Sequence, residues 1–330
     1  MSNRQPTRRD CLWRALELAA LSLLTACGAA QPTRLPRIGW LSPVNGSGSR
    51  EFESVRQGLR DLGYIEGQTV AFESRLTDGD NARMPSLAVE LVALHVDVIV
   101  TDGLAAALAA RDATHTLPIV MGVITDPVGS GLVGSLGRPG GNITGFAALA
   151  PGMFAKRLEL FAEAVPSVSR LAALYDPTTP ASPLAETQTA ARDRGWDLLV
   201  FETRTADDVE RAFTSTGMKD VDGVLALGGP LQAQLRKRVV ALALEHRLPG
   251  LFFDRDFVAE GGLMSYGSNT SDIFRRSAGY VDKVLRGANP GDLPIQQPTK
   301  FDLAVNLTTA RSLGLTLPRS LLEQATEVVN

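Results

Sequence analysis

The sequence has little of what chemistry at a metal, a thiol or an imidazole needs: two cysteines and three histidines in 330 residues. His95, His115 and His246 lie far apart, near expected helix ends or loops, so each reads as a surface or capping residue. There is no Walker loop, no Gly-x-Gly-x-x-Gly opening a helix and no His-Glu-x-x-His. The string Gly262-Leu263-Met264-Ser265-Tyr266-Gly267 misses the nucleophile-elbow spacing by one residue, which leaves Ser265 an ordinary strand-end serine. Basic excess is absent too: 33 Lys and Arg stand against 36 Asp and Glu, and a net charge of −3 has the wrong sign for neutralising nucleic-acid phosphates. Aromatics make up only 6%, whereas 31 Gly and 19 Pro supply many turns, so alternating strands and helices are favoured over a bundle.

The N-terminus has the layout of an export signal. Arg4, Arg8, Arg9 and Arg14 make a basic start, and Ala15 to Ala26 is mostly apolar before Cys27. That run is about a dozen residues and carries Glu17, short of the roughly 20 apolar residues of a spanning helix. Leu24-Thr25-Ala26-Cys27 resembles the lipobox of bacterial lipoproteins, which implies that Cys27 receives a lipid and becomes the first residue of the mature chain. Thr7-Arg8-Arg9-Asp10-Cys11-Leu12 resembles a twin-arginine signal, with Cys11 where that motif usually has Phe. After cleavage Cys27 is the only thiol, so the body can form no internal disulfide and must rest on packed cores.

From Arg37 onward, short aliphatic runs alternate with segments of helical period. Arg37 to Pro43 is the first expected strand; Phe52, Val55, Leu59 and Leu62 then share one helix face that Gly63 ends. Strands follow at 69–75, 97–101, 118–124 and 142–146. A second series begins after Pro151, with strands at 170–175, 197–203, 223–227, 251–254 and 263–266. Continuous runs such as Val98-Ile99-Val100 indicate parallel strands covered on both faces. The expectation is an α/β protein of two doubly wound parallel-sheet lobes, each of about 110 to 120 residues, joined by a hinge of several crossings. Residues 1–26 are read as the signal and 27–36 as a linker; 37–147 with 268–300 form lobe 1, and 148–267 with 301–330 form lobe 2. The pieces after Tyr266 are expected to return and complete both sheets.

Ligands of open α/β sheets bind beyond the carboxyl ends of the strands, and polar residues gather there. Ser42 and Asn45 follow the first strand, Thr101, Asp102 and Gly103 the third, Thr125 and Asp126 the fourth, Asp176 and Ser182 the sixth, and Gly228 and Gly229 the eighth. Gly103 opens a helix whose N-terminal N–H groups suit a ligand carboxylate. Asp254, with Arg255 and Asp256, follows a hydrophobic strand. That triplet also resembles the Asp-x-Asp of metal-dependent glycosyltransferases, although Asp256 serves equally as a helix cap.

Several blocks in order resemble the substrate-binding proteins of ABC transporters with the type I periplasmic-binding fold, a group that includes tryptophan- and tyrosine-type binders. They are Gly58-Leu59-Arg60-Asp61-Leu62-Gly63-Tyr64, Thr125-Asp126-Pro127-Val128-Gly129-Ser130-Gly131, Arg138-Pro139-Gly140-Gly141-Asn142-Ile143-Thr144-Gly145 and Gly261-Gly262-Leu263-Met264-Ser265-Tyr266-Gly267. The resemblance covers residue 37 to the end. It implies an extracytoplasmic receptor, without enzyme activity or cofactor, that closes on a small polar or amino-acid-like solute and docks on an inner-membrane permease; the mixed-charge surface leads us to expect a monomer. Ligand contacts carry over to Thr101, Gly103, Thr125, Asp126 and the loop holding Ser182. The chain departs from the amino-acid binders at Pro180-Ala181-Ser182, where they tend to have Asn-Ser, and at Gly228-Gly229-Pro230, which lacks Thr-Asp polarity. A ligand sensor for a signalling partner and a metal-dependent exported enzyme using Asp254 and Asp256 are the competing readings.

Overall fold

Successive strand residues face opposite sides of a sheet, so the unbroken run Val98-Ile99-Val100 requires cover on both. The computed structural model, which describes residues 34–43, 49–77 and 80–330, provides it. The signal segment, Cys27 and Asn45 lie outside the described residues. Five strands, β1 (Arg37–Ser42), β2 (Ala71–Leu76), β3 (Val98–Asp102), β4 (Ile119–Ile124) and β5 (Ile143–Ala147), form a parallel sheet in the order β2-β1-β3-β4-β5. Helix α1 (Arg50–Asp61) covers the face that carries Ile38, Trp40, Val98 and Val100. Helices α2 (Met84–Ala93) and α3 (Gly103–Ala113) cover the opposite face, with Leu41, Ile99 and Ile119.

The second lobe repeats the scheme with α4 (Met153–Ala164), β6 (Arg170–Tyr175), α5 (Ser182–Asp193), β7 (Asp197–Glu202), α6 (Ala206–Thr214), β8 (Gly223–Ala226), α7 (Pro230–Gln234), α8 (Arg236–Glu245), β9 (Gly250–Phe252), α9 (Arg255–Ala259) and β10 (Met264–Ser268). Along β6, Leu171, Ala173 and Tyr175 enter one core, and Ala172 and Leu174 enter the other. Helix α10 (Thr270–Leu285) then returns to the first lobe, and its buried Phe274, Ala278 and Val281 join Trp40 and Phe52. Last come β11 (Phe301–Asn306), α11 (Leu307–Ser312), α12 (Arg319–Gln324) and β12 (Glu327–Val329). The second sheet runs β12-β11-β10-β9-β8-β6-β7, with β11 antiparallel to β10 and parallel to β12.

Two expectations change. The pieces after Tyr266 do not add strands to both sheets: β11 and β12 extend only the second, while the first gains α10 and a single bridge between Phe146 and Gln296. The expected strand 251–254 stops at Phe252, because the Asp254 side chain accepts a hydrogen bond from the Asp256 N–H at 2.8 Å and starts α9 instead.

Three segments cross between the lobes and are tied side by side. Ala147 N–H donates to the Gln296 carbonyl at 2.9 Å, Asn269 N–H to the Lys300 carbonyl at 3.0 Å, and the Ser268 hydroxyl to the Ala148 carbonyl. The buried Arg157 anchors the end of the middle crossing. Its Nε donates to the Tyr266 carbonyl at 2.7 Å, and its guanidinium lies 4.9 Å from the Phe154 ring centre. Burial pulls this guanidinium down to about 10, still charged at neutral pH.

Helices α1 and α10 meet at Gly58, where a Cβ would collide with the Arg275 carbonyl and lie 2.8 Å from the Ala278 Cβ. Gly279, inside α10, has open space around it. Thermal unfolding is expected to show Gly58→Ala less stable by about 1–3 kcal/mol through forced separation of the helices. Gly279→Ala is expected to be more stable by up to about 1 kcal/mol through helix propensity.

Candidate interlobe binding site

The carboxyl ends of both sheets border two cavities. The smaller, about 470 Å³, lies between Thr125, Asp126 and Val128 after β4, the crossing segment at Ala147 to Gly152, and Ser182 and Glu186 of α5. Asp126 sits in a tight turn where its Oδ1 accepts from the Gly129 N–H at 2.7 Å, and this aims Oδ2 across the cleft. The Ser182 hydroxyl of the other lobe donates to that oxygen at 3.0 Å. Burial, reinforced by the Asp126 charge, raises the Glu186 carboxyl above its ordinary range.

The larger cavity holds about 650 Å³. Its first-lobe wall includes Arg50 and Glu51 at the start of α1, Asp102 at the end of β3, and Val123. Phe274 of α10 belongs to the same wall, and across from it stand Arg236, Phe253, Asp254 and Asp256. Val123 has φ 55°, a left-handed conformation rare for a β-branched residue, where β4 slips its register with β5. A side chain at the preceding Gly122 would overlap the Phe274 ring, so the kink in β4 and the placement of that ring depend on each other. Arg50 and Asp256 form an ion pair across the cleft at 2.6 Å, with both side chains about half exposed. Such an exposed pair adds about 0–1 kcal/mol to closure.

Asp102 carries the most perturbed carboxyl of the cleft. It is partly buried at the edge of the cavity, and this burial pushes it up to about 7, with the Glu51 charge adding to the rise. The Ser42 hydroxyl donates to its Oδ2 at 2.8 Å and opposes the shift without cancelling it. Burial also raises Asp254, against the helix-cap hydrogen bond it accepts.

The expected site residues therefore divide. Thr125, Asp126 and Ser182 line the smaller cavity, and Asp254 lines the larger. Ser42 is buried behind Asp102. Thr101 is buried within β3, its hydroxyl without a hydrogen-bond partner among the described residues. Asp176 folds back on its own turn, accepting from Thr178 N–H at 2.9 Å and Thr178 Oγ1 at 2.6 Å. Gly103 (φ 80°) starts α3, and the Gly228 N–H donates to Gln232 Oε1 at 3.2 Å; neither borders the two cavities. Of the two acids weighed for a metal, Asp254 caps a helix and Asp256 pairs with Arg50. Among the described residues no group of three His, Cys, Asp or Glu is placed to hold an ion. Sequence reasoning passed over Arg50, Glu51 and Glu186, which no local spacing links to the cleft.

Residues 38–329 match the family described as ABC transporter substrate binding protein, and the chain belongs to it. A tyrosine-binding protein of Clostridioides difficile (strain R20291) is 25% identical over 267 residues, 78% of this chain and 75% of that protein. A solved ABC domain in complex with L-Trp from Streptococcus pneumonia is 28% identical, covering 90% of this chain and all of its own, with a TM-score of 0.82. A conserved domain protein from Vibrio cholerae is 28% identical with a TM-score of 0.81, covering 89% of this chain and all of its own. The protein is thus a substrate-binding protein of the ABC transporter type, and this family is a class of solute receptor rather than of enzyme.

A carboxyl held near 7 when folded and near 3.8 when unfolded binds more protons in the folded state between those values. Its contribution to stability is complete below pH 3.8 and is lost as pH rises through 7. Asp102→Asn removes that loss. Without ligand, the variant is expected to melt higher than the parent at pH 8, by about 1 kcal/mol or roughly 2 °C, and to match it at pH 4.

Proposed function

We propose that the protein is an exported receptor of an ABC importer, lipid-anchored through Cys27 and monomeric. In this reading it encloses a small polar solute bearing an amino group and presents the closed form to a membrane permease. Two lobes divided as 37–147 with 268–300, and 148–267 with 301–330, hinge on the three crossings. The observation that carries the reading is the hydrogen bond from Ser182 to Asp126, in which polar groups of opposite lobes meet over a cavity. The relatives named for tyrosine and L-Trp binding support an amino-acid-like solute. A solute favours closure only by its differential affinity for the closed form, and contacts shared between lobes supply that difference.

Thermal shift against amino acids, amines, sugars, nucleosides and divalent metals tests the solute class. A ligand at 100 times its dissociation constant adds about 2.7 kcal/mol. Asp126→Ala and Ser182→Ala are each expected to weaken binding about tenfold, the size of one hydrogen bond to a charged group, without unfolding the protein. Unchanged affinity in both variants removes this part of the cleft from the site.

A further inference from the structure

The run Arg236-Lys237-Arg238 puts three cations in the first turn of α8, at the positive end of the helix dipole, where positive charge is unfavourable. No side chain caps that end. Each of the three therefore needs water or an anion. Arg238 has its anions, donating to Glu210 at 2.5 and 2.7 Å and to Glu245 at 3.1 Å. Lys237 has water, its side chain being 79% exposed. Arg236 has neither in full. Its side chain is less than half exposed, the nearest carboxylate oxygen, on Glu260, stands 3.8 Å from its Nε, and Lys237 shares that oxygen at 3.7 Å.

The hydrogen bonding of the Arg236 guanidinium is incomplete as well. Nε is sealed from solvent and donates to no acceptor among the described residues. Nη1 makes one long bond, 3.3 Å, to the Ala233 carbonyl, and Nη2 has no partner among the described residues. An N–H shut away without an acceptor is penalised, and a small turn of the side chain toward an acceptor in the cavity removes that penalty.

Arg236 borders the larger cavity, and Arg50 is the other cation among its described lining residues. Arg50 is committed to Asp256 at 2.6 Å. None of the acids on the cavity wall pairs with Arg236: Asp254 caps α9, Asp102 accepts from Ser42, and Glu51 stands in the first turn of α1, whose dipole favours it. Burial also works against negative charge here, pushing Asp102 up to about 7 and raising Asp254. Phe253, Phe257, Phe274 and Val123 supply apolar wall. Such a wall excludes water, strengthens attraction between a guanidinium and an anion, and accepts the hydrocarbon part of a ligand.

We propose that Arg236 receives a carboxylate of the solute: the negative end of the ligand lies on this guanidinium, at the α8 end of the larger cavity, with its hydrocarbon part against the neighbouring apolar wall. The planar edge of a guanidinium matches a carboxylate through two parallel N–H···O bonds. The inference rests on the receptor reading above and names the residue that holds the solute's negative end. It moves that end from Gly103 at the start of α3, which borders neither cavity, to the start of α8. Glu260 is then a competitor for the same guanidinium.

The test is isothermal titration of the purified protein at neutral pH with tyrosine, tryptophan, phenylpropionate and indolepropionate, each against its carboxamide. At least one acid is expected to bind about tenfold or more tighter than its amide. Arg236→Gln is expected to weaken that acid about tenfold or more and its amide less than about threefold, and Arg236→Lys to fall between, since it keeps the charge without the planar fork. Glu260→Gln is expected to tighten the acid about two- to fivefold by removing the competitor, and to leave the amide unchanged. An amide that binds as tightly as its acid overturns the proposal and leaves the receptor reading standing. So does Arg236→Gln if it weakens acid and amide alike, as a structural role predicts, or weakens neither. Should that variant fail to fold, unchanged acid affinity in both Arg236→Lys and Glu260→Gln overturns the proposal. Silence with every acid and amide overturns it together with the amino-acid-like solute of the receptor reading.

Discussion

Backbone hydrogen bonds tie the three chain crossings to one another, Ala147 to Gln296 and Asn269 to Lys300. Because the segments run together, the carboxyl edges of the two sheets face each other across a fixed line. Every property of the cleft follows from that constraint. Arg157 reinforces it from below by spending a buried guanidinium on the Tyr266 carbonyl beside the middle crossing. An uncompensated charge of this kind is costly to bury, and its placement at the hinge ties that cost to the part of the fold where lobe geometry is decided.

The cleft combines weak closing contacts with strongly perturbed carboxyls. The half-exposed Arg50–Asp256 pair and the Ser182–Asp126 hydrogen bond contribute little to closure alone, so the empty closed form is easily left. Asp102, by contrast, is pushed far from its ordinary range by burial. A ligand that relieves this penalty is bound with differential affinity for the closed state, as a hinge-bending receptor requires. Polar residues at a strand end thus do two kinds of work. Ser42 positions Asp102 from behind, and Asp176 shapes its own turn, while Asp126 and Asp254 reach the cavities.

Much of the fold was legible because its signals are local. The spacing of Phe52, Val55 and Leu59 marks a helix face, and Gly63, at φ 87°, ends that helix as its lack of a side chain allows. The family blocks from Gly58 to Gly267 named the architecture. The three-residue strand β12 was missed because so short a stretch carries no periodicity, and its place is set by pairing with β11. The strand expected through Asp254 stopped early because a helix cap competes for that carboxylate.

By itself the sequence determined the βα alternation, the two covered sheets and the gathering of polar residues at strand ends, since periodicity and turn chemistry act over a few residues. It did not determine which of those residues share a cavity. Arg50 and Asp256 lie 206 residues apart and meet only because α1 and α9 sit on opposite lips of the cleft. Asp102 is an ordinary aspartate in sequence and is pushed up to about 7 only when the fold buries it. Desolvation and long-range pairing are properties of the folded arrangement, and the tertiary structure alone decided them.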